Sequence, residues 1–332
     1  MVLSAVPLLV SDAQRMRVGV IGARGFIGGH VLRTVTDAGG SAVALVDTPS
    51  PELPSAAICV APRAAPVREL ARHLRGLDGV VIASGHAVPA AFQAEPLARY
   101  SREVQELTHW ALALAEARVQ RCVYLASGGT VYGANAGNAA REIDPVAPVN
   151  TYGAAKLSCE SVLRSFASVG TFAVTVLRVA NAYGPGQRAR RGQGVVATFI
   201  DTMLRGETVE VWGDGSEVRD FVHARDVAAS VIAALRHEDA PASTYNIGSG
   251  IPTRIGDLLD ALCRELPLAR PPRYRARAKG TAHSNVLDIS RAATCLGWRP
   301  TISLPAGLRD TIDWHRLHAA SPEQGRVNTP RP

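Results

Sequence analysis

A chain of 332 residues, 47% apolar and 20% charged, is long enough to bury a large core and too apolar to be disordered. Its net charge of +7 raises the question of nucleic acid, but the arginines are scattered and no basic-aromatic stripe accompanies them, which argues against that class. No run of about 18 apolar residues occurs, and residues 1–10 lack a basic start, so the chain reads as neither membrane-spanning nor exported.

Five cysteines (Cys59, Cys122, Cys159, Cys263, Cys295) are odd in number, far apart and without metal-ligand spacing. That usage points to the cytoplasm, a reducing compartment, and to no structural metal. Lys156 and Lys279 are the only lysines among 36 basic residues, an arginine bias typical of GC-rich coding. It makes Lys156 stand out, because an arginine cannot share a lysine's titration.

Residues 17–22 (RVGVIG) form an apolar run that predicts a buried parallel strand. Gly22, Gly25 and Gly28 then lead into a helix whose apolar face holds Ile27, Val31 and Val35. A strand, a glycine turn and a helix together let backbone N–H groups approach a pyrophosphate without Cβ obstruction. The spacing is GxxGxxG, not the ordinary GxGxxG. A second strand, 42–46, ends in Asp47, nineteen residues past Gly28. A carboxylate there hydrogen-bonds ribose hydroxyls and repels a 2′-phosphate, which favours NAD over NADP.

A Pro- and Ala-rich stretch from Thr48 to Pro66 holds one short strand candidate at 58–60. A helix over 67–75, a strand over 80–83 and one long amphipathic helix over 89–117 follow, continuing the alternation of a doubly wound sheet. Strand 122–126 runs into a loop, Ser127-Gly-Gly-Thr130, at the carboxyl end where such sheets hold ligands. A helix starting near Thr151 carries Tyr152 and Lys156, four residues apart on one face. A tyrosine base near neutrality needs its pKa lowered by about three units. One ammonium supplies about 1–3, so a second positive charge, such as an oxidised nicotinamide, is required. Strand 172–177, helix 225–236 and strand 243–247 complete the pattern.

In order along the chain stand VGVIGARGFIGG (18–29), VYLASGGTVYG (123–133), TYGAAK (151–156), VLRVANAYGPGQ (176–187), VWGDGSEVRDFVHARD (211–226), YNIGSG (245–250), VLDIS (286–290) and LGWRP (296–300). With these motifs the chain resembles the extended short-chain dehydrogenases/reductases, in particular the NAD-dependent nucleotide-sugar epimerase/dehydratase group. The resemblance implies a doubly wound parallel α/β sheet (Rossmann) with a smaller, interleaved C-terminal substrate-binding region. Residues 16–180 would form the NAD-binding part, with 225–250 returning to it; 181–224 and 251–316 would bind substrate; 1–15 and 319–332 would be loose termini.

The resemblance also implies roles. Tyr152 would be the base, Lys156 its ribose-anchoring partner and Ser127 the hydroxyl on the reacting sugar oxygen, with Thr130 in reserve. Gly22, Gly25, Phe26, Ile27, Gly28 and Asp47 would hold NAD, together with Tyr152 and Lys156. His86, Thr130, Asn181, Arg219 and Arg277 (or Lys279) would face a nucleotide-diphosphate sugar. Glu103 stands where an asparagine is common, and His86 where several epimerases have a lysine. Gly128, Gly129 and Thr130 occupy places where a dehydratase carries an adjacent Asp and Glu, which disfavours water elimination. The implied activity is NAD-dependent epimerisation at C4 through a 4-keto sugar, by a homodimer paired through the 89–117 and Tyr152 helices. A ketoreductase, a decarboxylase and a non-catalytic nucleotide sensor are the alternatives.

Overall fold

The computed structural model describes residues 16–48, 58–60, 65–85, 89–133, 138–189, 194–237, 242–276 and 284–319. His86, Arg277, Lys279 and the expected loose ends, apart from Ala319, lie outside these. In chain order the first elements are β1 (Arg17–Ile21), α1 (Phe26–Asp37), β2 (Ser41–Val46), β3 (Ile58–Cys59), α2 (Val67–Leu74) and β4 (Gly79–Ile82). Next come α3 (Pro89–Ala94), α4 (Pro96–Ala117), β5 (Arg121–Ser127), α5 (Gly128–Val131), α6 (Thr151–Ser168), β6 (Ala173–Val179) and β7 (Asn181–Tyr183). The last are α7 (Val195–Leu204), β8 (Glu210–Trp212), β9 (Val218–His223), α8 (Ala224–Arg236), β10 (Ala242–Ile247), β11 (Pro252–Arg254), α9 (Ile255–Glu265), β12 (Arg273–Arg275), β13 (Ser284–Asn285), α10 (Ser290–Cys295) and α11 (Leu304–Ala319).

Seven strands pair in parallel in the order β10-β6-β5-β4-β1-β2-β3. The two-residue alternation of a strand sends side chains to opposite faces. Along β5, Cys122, Tyr124 and Ala126 join Leu70, Trp110 and Leu163 from α2, α4 and α6. Val123 and Leu125 point the other way, into a core shared with Val31 of α1 and Val231 of α8. Burial on both faces explains why β1 and β4 read as continuous apolar runs. The order reverses between β1 and β4, and a crevice opens beyond the carboxyl ends of strands at such a switch point.

Segment 242–247 closes the sheet as its outer strand, with Tyr245 opposite Leu177. A third core, including Phe199, Ile200, Val211, Phe221, Leu258 and Ile312, lies in a smaller region built mainly from residues after β6. One expected element is corrected. The single helix over 89–117 is two, because Pro96 disfavours the helical conformation at the residue before it, and Glu95 sits at φ −135°, ψ 65°. The expected loop 127–130 instead closes into the one-turn helix α5.

Candidate active site

The site grows from three strand ends. At the end of β1, Gly22 takes φ +83°, and a Cβ there would stand 2.8 Å from the Ser84 backbone beyond β4. Glycine adopts this conformation without a steric penalty. A Cβ on Gly28 would overlap the Gly22 carbonyl, so α1 packs this close to the turn only as glycine. Gly25 caps α1 with no side chain over the helix end and no acidic residue in its first turn. Open N–H groups at a helix N-terminus with room for a close backbone approach fit a pyrophosphate. Phe26 and Ile27 are half-buried in that first turn.

Asp47 follows directly on β2 with its carboxylate exposed, accepting a long bond from the Thr48 hydroxyl at 3.4 Å. Arg24, which the sequence reading passed over, reaches across from the glycine turn to donate to that same Thr48 hydroxyl. Its signal was its place between the glycines of a phosphate-type turn.

At the end of β5 the catalytic candidates meet. Asn150 caps α6 by accepting from the Gly153 N–H at 2.9 Å, which starts the helix in time to place Tyr152 in its first turn. Gly153 lets α6 approach α5, since a Cβ there would stand 2.6 Å from the Thr130 carbonyl. Thr130 Oγ1 donates to Ser127 Oγ at 3.0 Å, and the Ser127 side chain is near enough to Tyr152 to lower the phenol's pKa. Ser127 and Thr130, the two candidate hydroxyls, are thus joined by a hydrogen bond. The Tyr152 ring meets Phe92 of α3 edge to face at 5.4 Å between centroids.

Lys156 is buried one turn below, its Nζ 5.7 Å from the ring centroids of both Tyr124 and Tyr152. It donates to Glu103 Oε1 of α4 at 2.6 Å, and Glu103 is buried as well. Gly85, beyond β4, closes over this pair: a Cβ there would stand 3.0 Å from Nζ. Burial opposes the ammonium charge, but Glu103 holds Lys156 protonated well above the ordinary lysine range. For Tyr152 the balance is upward. Burial raises its pKa, Lys156 lowers it, Glu103 raises it again, and the Ser127 side chain lowers it. The lowering expected of Lys156 is thus outweighed in the protein alone, by burial first and by the accompanying carboxylate second.

Substrate-side candidates lie on paired strands of the smaller region. Asn181 of β7 is in register with Phe221 of β9, and its Nδ2 donates to the Asp220 carbonyl at 3.1 Å. Arg219 is half-buried on β9, its Nη1 donating to the Val218 carbonyl at 2.8 Å. Between them Asp220 is buried and accepts from Ser249 N–H and Oγ (2.7 Å each), Gly250 N–H (3.1 Å) and Leu287 N–H (3.3 Å). Asn285, opposite Arg219 on β13, donates to the Gly129 carbonyl at 2.7 Å and so ties this region to the Ser127 loop. Asp220 and Asn285 carried no signal of their own, since their partners are distant in sequence.

A glycine-cradled helix end at a switch point, beside a Ser–Tyr–Lys cluster, defines a dinucleotide-binding Rossmann protein of the dehydrogenase/reductase type. The comparison with known proteins narrows this. Residues 18–248 match the NAD dependent epimerase/dehydratase family, and the chain belongs to it. It is 32% identical over 203 residues, 60% of its length, to the UDP-glucose 4-epimerase of Mycolicibacterium smegmatis, a match spanning 64% of that protein. It superposes with a TM-score of 0.84 on the UDP-glucose 4-epimerase of Thermotoga maritima solved with UDP-glucose, at 29% identity, covering 92% of this chain and all of the other. MoeE5 in complex with UDP-glucose and NAD gives a TM-score of 0.82 at 29% identity over 92% of this chain and 100% of that one.

Proposed function

We propose that the protein is an NAD-dependent epimerase acting at C4 of a nucleotide-diphosphate sugar through a transient 4-keto intermediate. The observation that carries this reading is the convergence of Ser127, Thr130, Tyr152 and Lys156 at the end of β5. NAD bound on the Gly22–Gly28 turn would supply a reversible store for hydride. Tyr152 takes the proton of the C4 hydroxyl and returns it once the sugar presents its other face. Ser127, backed by Thr130, holds the sugar oxygen in line with the phenol. Lys156 keeps its charge beneath the ring and orients the cofactor ribose. Asn181 and Arg219 grip the diphosphate, with a guanidinium suited to phosphate oxygens, while the sugar stays free to turn. Gly128 and Gly129 carry no acid or base, which speaks against water elimination; a Cβ on Gly128 would meet Leu287 at 2.6 Å.

Tyr152→Phe tests the reading. It keeps the ring and should keep NAD bound, while turnover on nucleotide sugars falls by about 10²–10⁴, the worth of a positioned acid–base group. Turnover near wild type with NAD still bound would overturn the mechanism. A panel of UDP-, dTDP- and GDP-sugars, with products separated by chromatography, identifies the substrate and distinguishes epimer, reduced sugar and pentose.

We also infer a homodimer in which α4 and α6 meet their copies across a two-fold axis. Tyr100 and Ser158, joined at 2.8 Å, lie where these helices pack together, and Leu112 on α4 is exposed. A monomer by light scattering at micromolar concentration would refute this. Free Cys122, Cys159, Cys263 and Cys295 suit the reducing cytoplasm in which we place it.

A further inference from the structure

The Glu103–Lys156 pair is the most enclosed charged group near the candidate base. Its members come from α4 and α6, 53 residues apart, and meet at 2.6 Å. Both are buried, a Cβ on Gly85 would stand 3.0 Å from Nζ, and the Tyr124 and Tyr152 rings flank Nζ at 5.7 Å. Among the described residues, the titratable groups facing it are Tyr124 of β5 together with Tyr152 and Cys159 of α6. Cys159 and Tyr124 are themselves held protonated, chiefly by burial. Among the described residues the formal charges in the cluster are then one ammonium and one carboxylate, and at Tyr152 the carboxylate works against the ammonium. A lone ammonium beside a phenol favours the phenolate; an ammonium already matched by a carboxylate does so far less.

We propose that Glu103 is a positioning residue of the Tyr152–Lys156 pair: its carboxylate, 2.6 Å from Nζ, pins the ammonium against α4 and offsets part of its charge beside the Tyr152 ring. This rests on the reading of Tyr152 as the proton-transferring group. Tyr152 and Lys156 titrate as a coupled pair, so the quantity to follow is the first proton lost from the two together. Removing a carboxylate lowers the pH of that loss whichever of the two gives up its proton.

The experiment uses the full chain carrying ¹³Cζ-tyrosine, with the Tyr152 signal assigned by its disappearance in Tyr152→Phe. In the ligand-free wild type, Tyr152 should remain a phenol through the pH range in which free tyrosine ionises. In Glu103→Gln, which keeps an acceptor for Nζ but no charge, the first ionisation should move down by about one unit. The acid limb of kcat/KM should move down with it, and Glu103→Asp, which keeps the carboxylate, should return the limb toward wild type. A purely structural Glu103 would move stability and leave both titrations in place; that result overturns the proposal. So does a ligand-free wild type whose Tyr152 ionises below the free tyrosine range, and this measurement stands even where a variant fails to fold. Absence of turnover on every nucleotide sugar would count against the epimerase reading alone, because the resonance titration needs no substrate.

Discussion

We propose that two exposed side chains, Asp47 and Arg24, bear on cofactor choice. The carboxylate follows directly on β2 and the guanidinium rests on Thr48 beside it, both facing the end of the sheet where the glycine turn lies. A 2′-phosphate on the ribose would meet the carboxylate first, so NAD is expected to bind more tightly than NADP. Asp47→Ala removes the repulsion and leaves Arg24 free to pair with the phosphate. The ratio of NAD to NADP affinity should then fall by about fivefold, the worth of an exposed charge contact of about 1 kcal/mol. Titration calorimetry with both dinucleotides measures it. A wild type that prefers NADP would show the ribose assignment to be wrong.

Between elements, the contact of α1 with the loop after β7 and with the end of β9 is made by histidines. His30 of α1 is buried and its Nε2 meets the Pro185 carbonyl at 2.8 Å; a carbonyl only accepts, so Nε2 carries the proton. His223 lies 6.4 Å away between ring centroids. Burial, more than any neighbour, lowers the His30 pKa from 6.5 to about 4 and lowers that of His223 as well. The sign follows directly. As pH falls below 6.5 the unfolded chain takes up a proton that folded His30 refuses, so stability present above 6.5 is lost progressively toward pH 4. For His30 this amounts to about 3 kcal/mol over the whole window. Thermal unfolding from pH 7.5 downward should show the decline, and His30→Gln, which still donates to the Pro185 carbonyl, should flatten it. An identical decline in the variant would place the acid sensitivity elsewhere. The break at Pro96 also belongs to this scale: the proline was visible, but the apolar periodicity on both sides of it suggested one helix.

Across the whole molecule, what could be read in advance was what is local. The glycine turn, the strand runs and the Tyr152–Lys156 spacing each depend on residues within one turn or one strand, and the βα alternation follows from them. What could not be read joins distant segments. Glu103 stands out in the sequence only as a departure at a common asparagine, and the fold makes that departure the partner of Lys156 across 53 positions. Asp220 gathers residues 249, 250 and 287 on one carboxylate, and only the folded chain brings them together.

The late return of β10 to the sheet has a consequence for how the protein is made. Strand β6 is complete by residue 179, yet the strand that covers its outer edge arrives only with residues 242–247. Throughout the synthesis of the intervening region, an apolar parallel strand presents a row of unpaired backbone groups, the kind of edge on which chains join one another. A ribosome that stalls in this interval releases a half-finished sheet with a sticky border. Between β6 and β10 the growing chain therefore carries an edge that only the later strand covers.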